Sequence, residues 1–223
     1  MTADVTSTTP VLRSLPGPGS YMCGLTWADG QLWHSDQDEG KIWAIEPGRG
    51  AVTRELGCGR VRADLSFHEG MLCQVGGKPK RIVLVDPAAG AVVGEREVLP
   101  ASGRLCGIEM CHEGMWMCLR SPSVVQLRDF ETMTVRREFP VEGAPSGLTW
   151  VNGTVVYSEF ETGLVRAVST ETEALLGEVA VEGRPTGMTW DGYSLWYCDF
   201  AARSFKAIRL EDVVNSRRRS ASS

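Results

Sequence analysis

The sequence predicts an all-β fold, a five-bladed β-propeller with four antiparallel strands in each blade. Three observations carry that prediction. First, the stretches CGLTWADGQLWHSD (23–36), SGLTWVNGTVVYSE (146–159) and TGMTWDGYSLWYCD (186–199) are one motif, and ADLSFHEGMLCQVG (63–76) and CGIEMCHEGMWMCL (106–119) are degenerate copies. Their anchors, Gly24, Asp64, Gly107, Gly147 and Gly187, are separated by 40, 43, 40 and 40 residues. Second, each unit holds short runs of aromatic and branched residues joined by turn dipeptides such as Asp29-Gly30. Third, no segment sustains a helical period. Four strands in a repeat of roughly 40 residues is the signature of a propeller blade.

Within a unit, the first strand starts at the anchor ("GLTW") and a tight turn leads to the second ("QLWHS"). The third, "KIWAIEP" or "RIVLVDP", ends at a proline turn, and the fourth, "AVTREL" or "AVVGEREV", runs into a Gly/Pro-rich connection such as "EGRPTG". Blades starting near residues 23, 63, 106, 146 and 186 make residues 1–210 a single domain. The fifth unit lacks a fourth strand, whereas the N-terminal "VLRSLPGPGSYMCG" copies the strand and connection of "GEVAVEGRPTGMTW". Residues 11–15 are therefore predicted to complete the last blade, closing the ring and covering its edge. Residues 211–223, with the basic run Arg217-Arg218-Arg219, read as a flexible tail.

Composition narrows the function. A net charge of −5 argues against a nucleic-acid or anionic-membrane surface. Seven cysteines without an export signal point to free thiols in the cytoplasm. No glycine-rich phosphate loop is visible, so no organic cofactor is expected and a small molecule is the expected partner.

The stretch RLCGIEMCHEGMWMC (104–118) looks like a zinc knuckle, but blade topology scatters it. Cys106 enters the first strand at the upper rim, while Cys111 and His112 sit in the turn at the other end. A strand of about five residues separates the two ends by ~15 Å, against zinc bonds of about 2 Å.

Stacking the repeats shows what converges at the channel mouth. Before the anchor stand Cys23, Ala63, Cys106, Ser146 and Thr186. The end of the second strand carries Asp36, Gly76, Arg120, Glu159 and Asp199, and two residues earlier come His34, Gln74, Cys118, Tyr157 and Tyr197. Carboxylates facing each other across a narrow mouth suit proton transfer, so Asp36, Asp64, Glu159 and Asp199 are candidate acids and bases. Arg120 is a candidate anion holder, with His34, Tyr157 and Tyr197 as pocket walls. Cys23 and Cys106 are candidate nucleophiles or ligand contacts. Cys118 is a packing residue, a substrate contact, or a third thiol of a soft-metal site in the channel with those two. Trp33, Trp116 and Trp196 are expected between blades, as packing residues like Cys58, Cys73 and Cys198.

The repeat starts, such as Tyr21-Met22-Cys23-Gly24-Leu25, resemble those of the plant and bacterial glutaminyl-peptide cyclotransferases. "GLTWADGQLWHSDQDEGKIWAIEPGRG" and "APSGLTW" are similar to repeats of the streptogramin-lyase family. The cyclotransferase resemblance implies five blades and a mouth pocket in which a carboxylate acts on a substrate amine, a role it would give to Asp64 or Glu159. The lyase resemblance implies histidine and divalent-metal chemistry.

These readings leave three functional classes open. The first is a small-molecule enzyme of lyase, cyclase or transferase type. The second is a binder that captures a soft metal or organometallic compound on rim thiols, and the third is a protein-interaction scaffold.

Overall fold

The computed structural model describes residues 8–98 and 104–216. The chain enters through β1 (Arg13–Pro16), an outer strand. Blade one is then β2 (Met22–Ala28), β3 (Gln31–Asp36), β4 (Lys41–Glu46) and β5 (Ala51–Gly57). Blade two is β6 (Val61–His68), β7 (Met71–Gly76), β8 (Arg81–Val85) and β9 (Val92–Glu97). Blade three follows as β10 (Arg104–Cys111), β11 (Gly114–Arg120), β12 (Val124–Arg128) and β13 (Val135–Pro140). Blade four is β14 (Pro145–Val151), β15 (Thr154–Glu159), β16 (Leu164–Ser169) and β17 (Leu175–Ala180). Blade five is β18 (Pro185–Trp190), β19 (Leu195–Asp199) and β20 (Ser204–Ile208), with β1 paired antiparallel on β20 as its fourth strand. The ring is thus closed from the N-terminus, with Leu15 opposite Phe205.

The hairpins form where the sequence marks them. Asp29 and Gly30 both take positive φ (51° and 75°), as do Asn152 and Gly153 (46° and 79°), the geometry of two-residue turns whose twist matches the strands. The core is divided into five apolar clusters, one between each pair of neighbouring blades. Trp33 packs with Leu65 and Leu72 across blades one and two, Trp116 with Leu148 and Val155 across three and four, and Trp196 with Leu25 and Leu32 across five and one. Each buried aromatic removes enough surface from water to be worth about 2–3 kcal/mol, so every blade is held chiefly by its two neighbours.

At the axis the first strands approach so closely that side chains are excluded. A Cβ on Gly147 would lie 2.1 Å from the Thr186 carbonyl oxygen, and one on Gly24 2.6 Å from the Leu65 nitrogen. Gly107 and Gly187 are equally confined, which accounts for the glycine anchors in four of the five repeats. Asp64 is the exception.

Part of the expected tail is ordered. A short helix, α1 (Leu210–Val214), packs against β16 and β17, with Val213 fully buried and Asp212 accepting a bond from Thr9 Oγ1 at 3.2 Å. Glycine at position 177 gives it room, since a Cβ there would meet the Val213 carbonyl oxygen at 2.1 Å. Residues 217–223, with the basic run, lie outside the described residues. Among the described residues no helix is long and apolar enough to cross a membrane.

Candidate functional site

In every blade the pairing of the first two strands slips at or just before the anchor, between Met22 and Gly24, Val61 and Leu65, Leu105 and Gly107, Pro145 and Leu148, and Pro185 and Met188. Such a bulge takes a residue out of the ladder and turns its side chain. Here the bulged positions include Cys23, Ala63, Cys106, Ser146 and Thr186, and all five line one cavity of about 250 Å³ at the channel mouth. The predicted convergence of the pre-anchor positions is therefore present. The blade-two bulge is the longest, and it adds Arg62 to the same wall.

Asp64 also lines this cavity although it is almost wholly buried. Standing where the other blades have glycine, it reaches the axis and collects amides from four blades. Oδ1 accepts from Leu25 N (3.2 Å) and Leu65 N (3.0 Å), and Oδ2 from Ile108 N and Leu148 N (both 3.3 Å). Burial pushes its pKa well above the usual carboxylate range against the pull of these donors.

Arg120 lines the cavity as expected, but beside cations that repeat stacking did not single out. These are Arg62, Lys80 and Arg104. Lys80 Nζ donates to Leu105 O and Arg120 Nε to Pro145 O, each at 2.6 Å. Burial lowers the Lys80 pKa. Across from them stand Tyr21, Phe160 and Phe200, linked edge to face with centroids 5.0 Å (Tyr21–Phe200) and 5.4 Å (Phe160–Phe200) apart.

Three predicted acids are turned elsewhere. Buried Asp36 accepts from the amides of Ser20, Tyr21, Asp38 and Glu39, joining its own turn to the incoming connection. Asp199 does the same through the amides of Arg184, Ala201 and Ala202, and also pairs with Lys206 at 2.7 Å. Glu159 binds the Ala144 amide, the Thr162 hydroxyl and Arg166. Although burial opposes it, these donors hold Glu159 and Asp199 below the usual carboxylate range. None of the three lines the cavity, and each ties its own turn to the incoming connection as a staple of the fold.

A one-residue slip in the stacking explains the rest. Leu119 pairs with Leu105 as Asp36 does with Met22, so Leu119, not Arg120, is the equivalent of the staples. Arg120 lies one place beyond, where strand alternation turns it into the cavity, and Phe160 and Phe200 directly follow Glu159 and Asp199 in the same way. Cys118 belongs with Ser158 in the strand interior, and its sulfur accepts from Gly107 N at 3.1 Å between blades three and four. Tyr157 and Tyr197 are buried, and their hydroxyls donate to Glu142 O (3.0 Å) and Glu182 O (2.9 Å). His34 is fully buried with Nδ1 3.0 Å from Gly24 O, and burial lowers its pKa to about 4. Neither these aromatics nor Cys118 lines the cavity.

The knuckle is dispersed as predicted. Cys106 lines the mouth, whereas His112 is exposed in the β10–β11 turn, edge-on to Trp150. Burial pushes Cys23 up to about 12 and also raises Cys106, so both thiols stay protonated. With Cys118 sealed between blades, the three-thiol metal set is not assembled. Among the described residues no group of three His, Cys, Asp or Glu side chains is placed to hold a metal ion.

Deeper in the channel a second ring lies two places past the anchors, formed by Thr26, Ser66, Glu109, Thr149 and Thr189. Glu109 breaks its pattern. Its carboxylate accepts from Ser66 Oγ (2.7 Å), Thr149 Oγ1 (2.9 Å) and Met110 N (3.1 Å), and burial raises its pKa to about 7.

No family model matches the chain, and no curated protein is detectably similar in sequence. The fold is nonetheless shared with solved structures. Glutaminyl cyclase of Myxococcus xanthus superposes with a TM-score of 0.77 at 11% identity, covering 91% of this chain and 96% of that one. A luciferin-regenerating enzyme gives 0.61 at 12% identity, covering 89% and 95%. A catalytically inactive virginiamycin B lyase of Staphylococcus aureus with quinupristin gives 0.53 at 17% identity, covering 88% and 68%. These likenesses match the resemblance read from the repeats, and they establish the propeller architecture.

Proposed function

We propose that the chain is a small-molecule enzyme of lyase, cyclase or transferase type, working at the cavity in the channel mouth. Asp64 would transfer the proton, and Arg120 with its neighbouring cations would hold an anionic part of the substrate. The observation that carries this reading is that Asp64 combines three properties. It reaches the cavity, it is held at the axis by amides from four blades, and burial raises its pKa toward the working range of a general acid. Rigid backbone donors position the carboxylate, and the two 3.3 Å contacts on Oδ2 are the weakest of the four, so Oδ2 is where a proton is most easily accepted. The likeness of the fold to a glutaminyl cyclase and a virginiamycin B lyase is compatible with an enzyme of cyclase or lyase type.

The test is turnover of N-terminal glutaminyl peptides, cyclic depsipeptides and a metabolite extract, followed by mass spectrometry with wild type, Asp64→Asn and Arg120→Ala. A converted compound whose rate falls by about a hundredfold or more in Asp64→Asn supports the reading. Because Asp64→Asn also loosens the axis, a pH–rate profile on wild type gives a second readout. No conversion of any substrate, or full activity in Asp64→Asn, would sink it.

A further inference from the structure

The charged and aromatic lining residues are not spread evenly round the mouth. Blades two and three supply all the cavity's cations: Arg62 from β6, Lys80 from the β7–β8 turn, Arg104 from β10 and Arg120 from β11. Blades four and five, with the connection into blade one, supply the connected aromatic wall of Phe160, Phe200 and Tyr21. One half of the mouth is cationic, and the other is an edge-to-face aromatic wall with Glu161 beside it.

The cations are also uncompensated. Among the described residues none of the four has a carboxylate within ion-pair distance, although Arg166, Lys206 and Arg81 each have two. Backbone carbonyls steer three of them: Lys80 to Leu105 O, Arg120 to Pro145 O and Arg62 to Val61 O, all at 2.6 Å. Arg62 Nε is buried with no partner. Lys80, Arg104 and Arg120 all act on the Cys106 thiol, so their charges converge on one region rather than fanning outward. The cavity's two acids, Asp64 and Glu161, offset at most two of the four positive charges, so an excess of two or more remains in a chain whose net charge is −5. Gathering like charges with no counter-ion in a partly desolvated pocket opposes folding unless a ligand neutralises them.

We infer that the cavity takes a small dianion carrying a flat apolar ring: an oxyanion group of phosphate-ester or vicinal-dicarboxylate type against blades two and three, and the ring against the aromatic wall. Guanidinium forks match the planar geometry of such oxyanions and bind them bidentately, and edge-to-face aromatics give a ring a preformed seat. The inference rests on the reading of this cavity as the site, and names the class of substrate.

The experiment is calorimetry and thermal shift at low salt with phenyl phosphate, phthalate, inorganic phosphate, benzyl alcohol and benzylamine. Phenyl phosphate or phthalate is expected to bind at least tenfold tighter than inorganic phosphate or either uncharged or cationic ring, and to weaken as salt rises. Which of the two binds better identifies the oxyanion. The Arg104→Ala/Arg120→Ala double variant should lose about tenfold or more in affinity. Phe200→Ala should lose the advantage of the ring while keeping affinity for inorganic phosphate. The inference is overturned if no dianion binds, if the uncharged or cationic rings bind equally well, or if the arginine variant binds unchanged. Dianion binding without turnover of any compound leaves this inference standing and removes the enzymatic reading; turnover of a neutral substrate with no dianion binding does the reverse.

Discussion

Glu109 makes the stability of this propeller depend on pH in a direction opposite to the common case. Its carboxyl sits in the lower channel with a pKa raised to about 7 by burial, against 4.5 when the chain is unfolded. Between those values the folded state keeps a proton that the unfolded state has released, so stability falls as pH rises through the window and levels off above it. The gap, at about 1.36 kcal/mol per pH unit, comes to at most about 3 kcal/mol, an upper bound because the residue keeps some contact with solvent. Asp64, also raised by burial and by the Glu109 charge, adds a contribution of the same sign. Glu109→Gln isolates the first term. The amide oxygen can accept from Ser66 Oγ and Met110 N, and the amide nitrogen can donate to Thr149 Oγ1, so the hydrogen bonds survive while the titration is removed. Urea denaturation of both proteins at pH 5, 6, 7 and 8 is the assay. The variant should exceed wild type by less than about 1 kcal/mol at pH 5 and by up to about 3 kcal/mol at pH 8. Parallel profiles for the two proteins would show that Glu109 is ionised in the folded state and refute the account.

Three further outcomes follow from the same geometry. Asp36→Ala removes the acceptor of four amides and should cost about 2–4 kcal/mol in urea denaturation, whereas Arg120→Ala should leave stability within about 1 kcal/mol; equal effects would mean that Asp36 is no staple. Deleting residues 1–16 removes β1 and bares the edge of β20, so the melting temperature should drop by about 10 °C or more, and an unchanged value would contradict ring closure. With its pKa near 12, Cys23 is about 0.01% thiolate at pH 8, so maleimide should label half-buried Cys111 well before Cys23 or Cys106; faster labelling of the rim thiols would show them activated.

The fold was legible because a propeller repeats its backbone demands. Glycine recurs at the anchor since neighbouring strands touch there, and turn dipeptides recur since each hairpin needs positive φ. The pre-anchor rim was legible for the same reason. The acids were not. Asp36, Glu159 and Asp199 have the residue type a catalyst needs, and nothing in their identity tells which way they point. Their regularity was the available sign. Each recurs at one repeat position and packs on a positive-φ glycine, Gly19, Gly143 or Gly183, whose added Cβ would come within 2.0–2.4 Å of a carboxylate oxygen. Arg62 and Lys80 were missed because a bulge and a turn, rather than the strand period, aim them, and Arg104 because it stands two places before Cys106, outside the stacked positions, where it pairs with Arg120.

In a fold made of equal units, a residue present in every unit is explained by what every unit must do, and a residue that breaks the pattern is not. The stretches 63–76 and 106–119, the copies that match the motif least well, belong to blades two and three. Those blades hold Asp64 in place of glycine, Glu109 in place of serine or threonine, and all four cations of the cavity. Blades one, four and five keep the motif and its staples. Asp64 ties the two classes together, since its oxygens hold the amides of Leu25 and Leu148 in regular blades as well as Leu65 and Ile108 in divergent ones. The divergence that made two repeats hard to recognise is therefore the same divergence that charges one side of the channel mouth, and the regular blades supply the rigidity against which that charge is held.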